Sequence, residues 1–411
     1  MEKIYGILEI IKETFWRLVE FLKGLISSKN FKRYAPLVVI ALVAIGTLVT
    51  CVAGQPREPD PEPEPPVVLE PPVSTPPPAT QSPSPEPDPD PDPDPDPDPE
   101  PDLGFVNPLT GLPTEEDISN RRPLAIVINN HRDAIPQLGI SQADLVYEIL
   151  VEGEITRMLA FYQDVSNVGV IGSVRSARHY TVDLIQGYDA IFIFAGGSEM
   201  AYEAVRSRHI DYFDDVSGVG TQIYYRDSNR RANMGFEHSL VTSGALITRH
   251  LPDRNFREEH VEGYSRALSF VEDGTPADGE SALEFTVRFG PSSKTTAFSY
   301  DDETKLYRLR QYNNAYIDGN DRTQVAVTNV LILRMTTAGI PRDQYGRLNI
   351  TTTGSGEGYF ACGGEYVEIE WSRESETAQF SYKLKDGSEL VLGQGKTYIC
   401  LIRTNGTVDF A

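Results

Sequence analysis

ADLVYEILVEGEITRMLAFYQD, residues 143–164, contains two apolar runs of strand length, ADLVYEILVEG (143–153) and TRMLAFYQ (156–163). Both are rich in the β-branched and aromatic residues that suit a pleated surface. Working outward, PLAIVINN (123–130) reads as a further strand before them. After them the period changes. SVRSARHYTVDLIQGY (173–188) reads as a helix, AIFIFAGG (190–197) as a strand, SEMAYEAVRSRHI (198–210) as a helix, QIYYRD (222–227) as a strand and HSLVTSGALITRHL (238–251) as a helix. Strands alternating with helices predict an α/β domain with a mixed sheet over residues 104–255.

Beyond a stretch of turn residues between 251 and 280, the pattern is almost entirely strand and turn: LEFTVRF, TTAFSYDDETKLYRLR, QVAVTNVLILRMTT, GYFACGG, EYVEIEWS, FSYKLKDGSELVL and TYICLIRT. Asp-Gly pairs at 318–319 and 386–387 mark tight turns. A mostly β domain over 280–411, folded as a sandwich or a strongly curved sheet, is expected. The fold class is therefore α+β.

The N-terminal quarter has a different composition. Residues 34–56 carry no charge, and 23 helical residues cover about 34 Å against a hydrocarbon core of about 30 Å. Lys29, Lys32 and Arg33 precede this segment and acidic residues follow it, so the N-terminus is expected in the cytoplasm and the folded domains outside. The segment reads as an uncleaved transmembrane anchor. Leu48-Val49-Thr50-Cys51 offers the other reading, a lipoprotein-like signal in which Cys51 is lipidated. Residues 1–33 place Ile4, Ile7, Leu8, Ile11, Phe15 and Leu18 at helical spacing and read as a cytoplasmic amphipathic segment. Residues 57–103 hold most of the 30 prolines and end in an alternating Asp-Pro run. Such a tract has too little apolar surface to fold and forms an extended, disordered stalk.

The charge of −23 is spread as +3 over residues 1–54, −13 over 55–102 and −13 over 103–411. No folding segment has the basic surplus that releases counterions from nucleic acid, so that class of partner is excluded. The chemistry must lie elsewhere, and the strand-to-helix junctions of the first domain are the place to look, because helix starts present unpaired N–H groups. Val170-Ile171-Gly172-Ser173 leads toward Arg175 and Arg178, and Ala195-Gly196-Gly197-Ser198 leads into the next helix. Arg226, Arg230, Arg231 and His238 follow in a loop that could complete an anion site, arginine forks being suited to carboxylate or phosphate. The competing reading is a structural network in which Glu148, Glu152, Glu154 and Asp183 pair those arginines.

Glu148 and Glu152, four apart and on one face of a strand, also admit an acid–base pair for cutting glycans. No nucleophile elbow, phosphate loop or cofactor motif is present, and the six histidines never fall at metal-ligand spacing with cysteines. Cys362 and Cys400, both in strands outside the membrane, are either a disulfide or two buried small apolar residues.

NPLTGLP (107–113), RPLAIVINN (122–130), the 143–164 block, IGSVRSAR (171–178), AGGS (195–198), EYVEIEWSRESET (365–377) and LGQGKTYICLI (392–402) together resemble the YerB-like lipoproteins of Gram-positive bacteria. That family has two domains and no established function. The resemblance spans Asn107 to about Asn405 and implies a membrane-tethered, extracytoplasmic protein linked to the cell envelope. The function expected from all of this is binding of an anionic cell-wall polymer or of an envelope protein engaged in wall synthesis. The alternative is a wall-glycan hydrolase. No cofactor is expected, and the membrane partner is contacted through residues 34–56.

Overall fold

β1 (Leu124–Asn129), β2 (Leu145–Leu150) and β3 (Thr156–Tyr162) are buried along their whole length. β3 lies between the other two and is antiparallel to both, with Tyr162 opposite Leu124 and Phe161 opposite Leu145. Strands covered on both faces need apolar side chains at every position, which explains runs that are continuous rather than alternating. In β1, Leu124, Ile126 and Ile128 enter one core, whereas Ala125 and Val127 enter another on the opposite face. The computed structural model describes residues 104–411, so the expected cytoplasmic segment, the membrane segment with Cys51, and the stalk lie outside the described residues. Among the described residues no helix is long and apolar enough to cross a membrane.

After β4 (Val170–Gly172) come helix α1 (His179–Gly187), β5 (Ile191–Phe194), helix α2 (Glu199–Ser207), β6 (Tyr212–Asp214), β7 (Tyr225–Arg226), helix α3 (Ser228–Asn233), β8 (Leu240–Ser243) and helix α4 (Gly244–His250). β5 joins β1 in parallel, and β6 joins β5 in parallel at the edge. α1 and α2 cover one face: Tyr180, Leu184, Ala201 and Val205 pack on Val127, Tyr147, Leu159 and Phe161.

The second stretch of sequence does not build a sandwich of its own. Thr397–Arg403 pairs in parallel with β2 on one side and with Asn329–Met335 on the other. Gly354–Cys362, Glu365–Arg373 and Glu280–Ser281 then extend the same mixed sheet outward, and Ser381–Leu384 adds to Glu365–Arg373. Glu284–Arg288, Thr295–Asp301, Leu306–Gln311 and Thr407–Phe410, with Asn314–Ala315 and Ala326–Val327, form a six-stranded antiparallel sheet, and two short two-stranded ladders stand apart from both sheets. Its Phe285, Phe298 and Leu309 share a core with Val330, Ile332 and Tyr398 of the large sheet, on the face away from α1 and α2. The overall architecture is α+β, with a mostly β C-terminal half that completes the sheet begun by the N-terminal half.

Three element expectations change. Residues 173–178 are extended and the helix starts only at His179. QIYYRD begins in a helical turn, Thr221–Ile223, and only Tyr225–Arg226 is paired as a strand. HSLVTSGALITRHL is half strand: Val241 and Thr242, β-branched, pair with Gly172 and Ile171. Ser243 then caps α4, its Oγ accepting from the Leu246 N–H at 3.2 Å. Gly244 follows because a Cβ there would lie 1.8 Å from the Val165 carbonyl oxygen. Cys362 and Cys400 are free and buried, on opposite faces of the large sheet, so the buried-apolar reading describes them.

Candidate functional site

The C-terminal ends of the parallel pair β1 and β5 open at one end of the sheet, and residues 174–177 run extended between them. The Arg175 N–H donates to the Val127 carbonyl at 2.9 Å, Ala195 N–H to the Arg175 carbonyl at 3.0 Å, and Ala177 N–H to the Gly196 carbonyl at 2.9 Å. With those groups committed to strand ends, no helix can begin before Arg178, which takes the N-cap position. Arg175 therefore stands on an extended segment and not in the first turn of a helix.

The Gly196-Gly197-Ser198 turn was expected to offer its N–H groups to a ligand. Instead a carboxylate of the chain occupies it. Asp214, fully buried, accepts from Gly196 N–H at 2.7 Å, Val216 N–H at 3.1 Å, Ser217 N–H at 2.9 Å and the Tyr202 hydroxyl at 2.8 Å. Ser198 caps α2 through Ala201 N–H, and its own N–H donates to the Ala177 carbonyl. Gly196 and Ser198 thus serve the fold, and Gly197 forms a bridge with Ala177.

The arginines do converge. Arg178 holds Glu152 through Nε at 3.1 Å and through Nη2, while Arg157 reaches the same carboxylate at 3.3 Å and donates to the Ser176 carbonyl at 2.8 Å. Arg175 lies beside them at the surface, its Nη1 donating to the Glu237 carbonyl at 3.2 Å and its Nη2 3.5 Å from the Glu237 carboxylate. Arg226 stacks 3.6 Å over the Phe236 ring. Burial, reinforced by the neighbouring charges of Arg178 and Arg175, lowers the Arg157 guanidinium to about 10 despite Glu152. Burial alone would raise the Glu152 carboxyl, but the hydrogen bond from Arg178 and the two guanidinium charges hold it below its ordinary value. Arg157 was not singled out by sequence reasoning: it sits at the second position of an apolar strand, where nothing local distinguishes it.

Glu148 lies apart from this cluster. It is completely buried, and its two oxygens accept from Asn130 at 3.0 Å, Thr156 at 2.6 Å, Thr296 at 2.7 Å and Tyr398 at 2.8 Å, with Lys294 as ion-pair partner. Burial holds Lys294 below the ordinary lysine value, with Glu148 opposing. Glu148 and Glu152 face different partners, one inside the core and one under two arginines. Neither is placed as a general acid poised at a cleft.

His238 completes the picture. It is buried, and its Nδ1 accepts from the Asn129 amide at 2.9 Å, while the Asn129 oxygen accepts from His131 N–H at 3.0 Å. Arg230, also buried, staples this loop to the one after β1. Its Nε donates to the His238 carbonyl at 2.9 Å, Nη1 to Pro136 at 2.6 Å and Nη2 to Ala134 at 2.7 Å. Burial, with the Arg175 and His131 charges, lowers His238 below the usual imidazole range against the pull of Glu237. Arg175, Arg226 and His238 thus stand near one another, Arg230 holds backbone carbonyls, and Asn129 and His131 are additions that only the fold could reveal.

Two of the blocks that carry the family resemblance meet in the fold. In NPLTGLP, Asn107 donates to Asp144 at 3.0 Å and the Thr110 carbonyl accepts from Gly395 N–H, tying this motif to LGQGKTYICLI. Comparison with known proteins agrees with the sequence reading. The chain is 31% identical over 298 residues to the protein described as "Putative lipoprotein YerB" from Bacillus subtilis (strain 168), covering 72% of this chain and 85% of that one. The crystal structure of YerB protein from Bacillus subtilis superposes with a TM-score of 0.64 at 29% identity, over 74% of this chain and 99% of that one. The N-terminal domain model of the protein of unknown function DUF3048 matches residues 109–257, and its C-terminal domain model matches 285–399. This chain, bearing both domains in order, belongs to the DUF3048 family.

Proposed function

We propose that the protein is a membrane-tethered, extracytoplasmic envelope protein that binds an anionic wall polymer at the corner formed by Arg157, Arg175 and Arg178. The location is supported by the uncharged 34–56 segment with its basic flank and by a relative named as a lipoprotein. The observation that carries the binding reading is geometric: the guanidinium groups of Arg157 and Arg178 converge on Glu152, and Arg175 stands beside them against Glu237, so that like charges add to the burial that lowers Arg157 to about 10. An incoming phosphate or carboxylate would relieve that repulsion through Arg175, half-buried and the most accessible of the three, and charge-assisted bonds of this kind contribute about 1.5–3 kcal/mol.

Arg178 and Arg157 hold Glu152, so replacing them would strand a carboxylate. The informative variant is Arg175→Ala with Arg226→Ala. Full-length protein pelleted with purified wall material should lose at least about 10-fold in affinity in that variant, with unchanged circular dichroism. It should also lose binding when the anionic polymers are stripped from the wall. Equal pelleting of variant and parent, or of stripped and intact wall, would remove the proposal.

A further inference from the structure

Two loops distant in sequence bring His131, Asp133 and His238 together beside the arginines. One ligand atom from each lies within 4.8 Å of the others. The imidazole rings stack with centroids 5.5 Å apart and planes at 10°. Both loops are fixed. Asn129 bonds to each histidine, and Arg230 holds the His238, Ala134 and Pro136 carbonyls. His238 is buried, His131 half-buried and Asp133 exposed, which is the gradation of a site entered from one side.

We propose that these three side chains bind one divalent first-row metal ion of the zinc type and leave a coordination position open to solvent. Two imidazole nitrogens and a carboxylate oxygen form a donor set that zinc takes in sites with three protein ligands. Around a tetrahedral ion with bonds of about 2.0–2.1 Å, donors stand about 3.3–3.4 Å apart. The contraction falls on Asp133 and His131, whose accessible side chains can turn, while His238 stays in place. The nearest further carboxylate is Glu237, with Oε1 3.5 Å from His238 Nε2 and Oε2 held by Arg175. The inference is independent of the anion reading, since Arg175 contributes no ligand.

The test uses full-length protein stripped of metal by chelation and titrated with Zn²⁺, read by calorimetry and by thermal unfolding. About one ion per chain and a zinc-dependent rise in Tm are expected. Loss of an outer-shell partner typically weakens a metal site about 10–100-fold, so Asp133→Asn and His131→Gln, each removing a direct ligand, should weaken binding at least about 10-fold. Asp133 is exposed, so the metal-free Tm of Asp133→Asn should match the parent, while His131→Gln also loses the bond that His131 Nδ1 accepts from the Asp133 N–H and is read by its zinc affinity. Arg175→Ala should keep the site. No zinc-dependent rise in the parent, or parental affinity in both ligand variants, would overturn the proposal, the second result placing the ion elsewhere in the chain.

Discussion

Replacing Lys294 with Met removes the charge that faces Glu148 while nearly preserving the volume of the side chain. In the parent, Lys294 is 3% exposed and Glu148 is fully buried. Lys294 also donates to Thr296 at 3.0 Å and lies 5.8 Å from the Phe289 ring centroid. The variant leaves the carboxylate with four neutral donors, Asn130, Thr156, Thr296 and Tyr398, and no compensating charge. Breaking a buried pair from one side costs about 3–5 kcal/mol. For a unit of this size, about 2 °C of Tm per kcal/mol makes that a fall of about 6–10 °C by calorimetry. Glu148→Gln combined with Lys294→Met should recover about 2 kcal/mol relative to the sum of the single changes, because it removes both charges at once. A fall below about 1 kcal/mol in Lys294→Met, or strict additivity in the double variant, would show that the pair is not the buried ionic contact described here.

Two further outcomes follow from the same physics. Burial pushes the partly buried Asp144 carboxyl from 3.8 up to about 6, against hydrogen bonds from Gln163 and Asn107. Between about pH 4 and 6 the folded state keeps a proton that the unfolded state has lost, so stability declines as pH rises through this window, by up to about 3 kcal/mol. Asp144→Asn should flatten that segment of a stability-versus-pH curve from chemical denaturation. Arg230→Ala leaves the Ala134, Pro136 and His238 carbonyls without their guanidinium and should cost about 3 kcal/mol or more. It should also weaken Zn²⁺ binding, measured in the same titration as the ligand variants.

The strands of the first domain were legible because burial on both faces writes itself into the sequence as unbroken apolar runs. β1, β2 and β3 fall inside the stretches read from composition alone. What was not legible depends on partners. SVRSAR looks like a helix start until the ends of β1 and β5 claim its backbone groups. The Gly196 turn looks open until Asp214, from the next strand, fills it. Likewise His131 and His238 have no telling spacing, because the loops that carry them meet only after β8 pairs with β4 and β7. Arg175, Arg226 and His238 were identified because their residue types are informative in any loop, whereas Arg157 sits in a strand whose pattern is dominated by its apolar neighbours.

The place of Thr397–Arg403 sets a timetable for folding. This strand lies between β2 and Asn329–Met335, so Leu145 meets Thr397 and Ile149 meets Leu401 across some 250 residues of chain. A growing polypeptide can form the β1–β3 ladder early, but β2 keeps a bare hydrogen-bonding edge until Thr397–Arg403 has emerged. The boundary between the two family segments is therefore a boundary in sequence and not in assembly. Deleting Thr397–Arg403 would open the large sheet at its middle rather than at an edge.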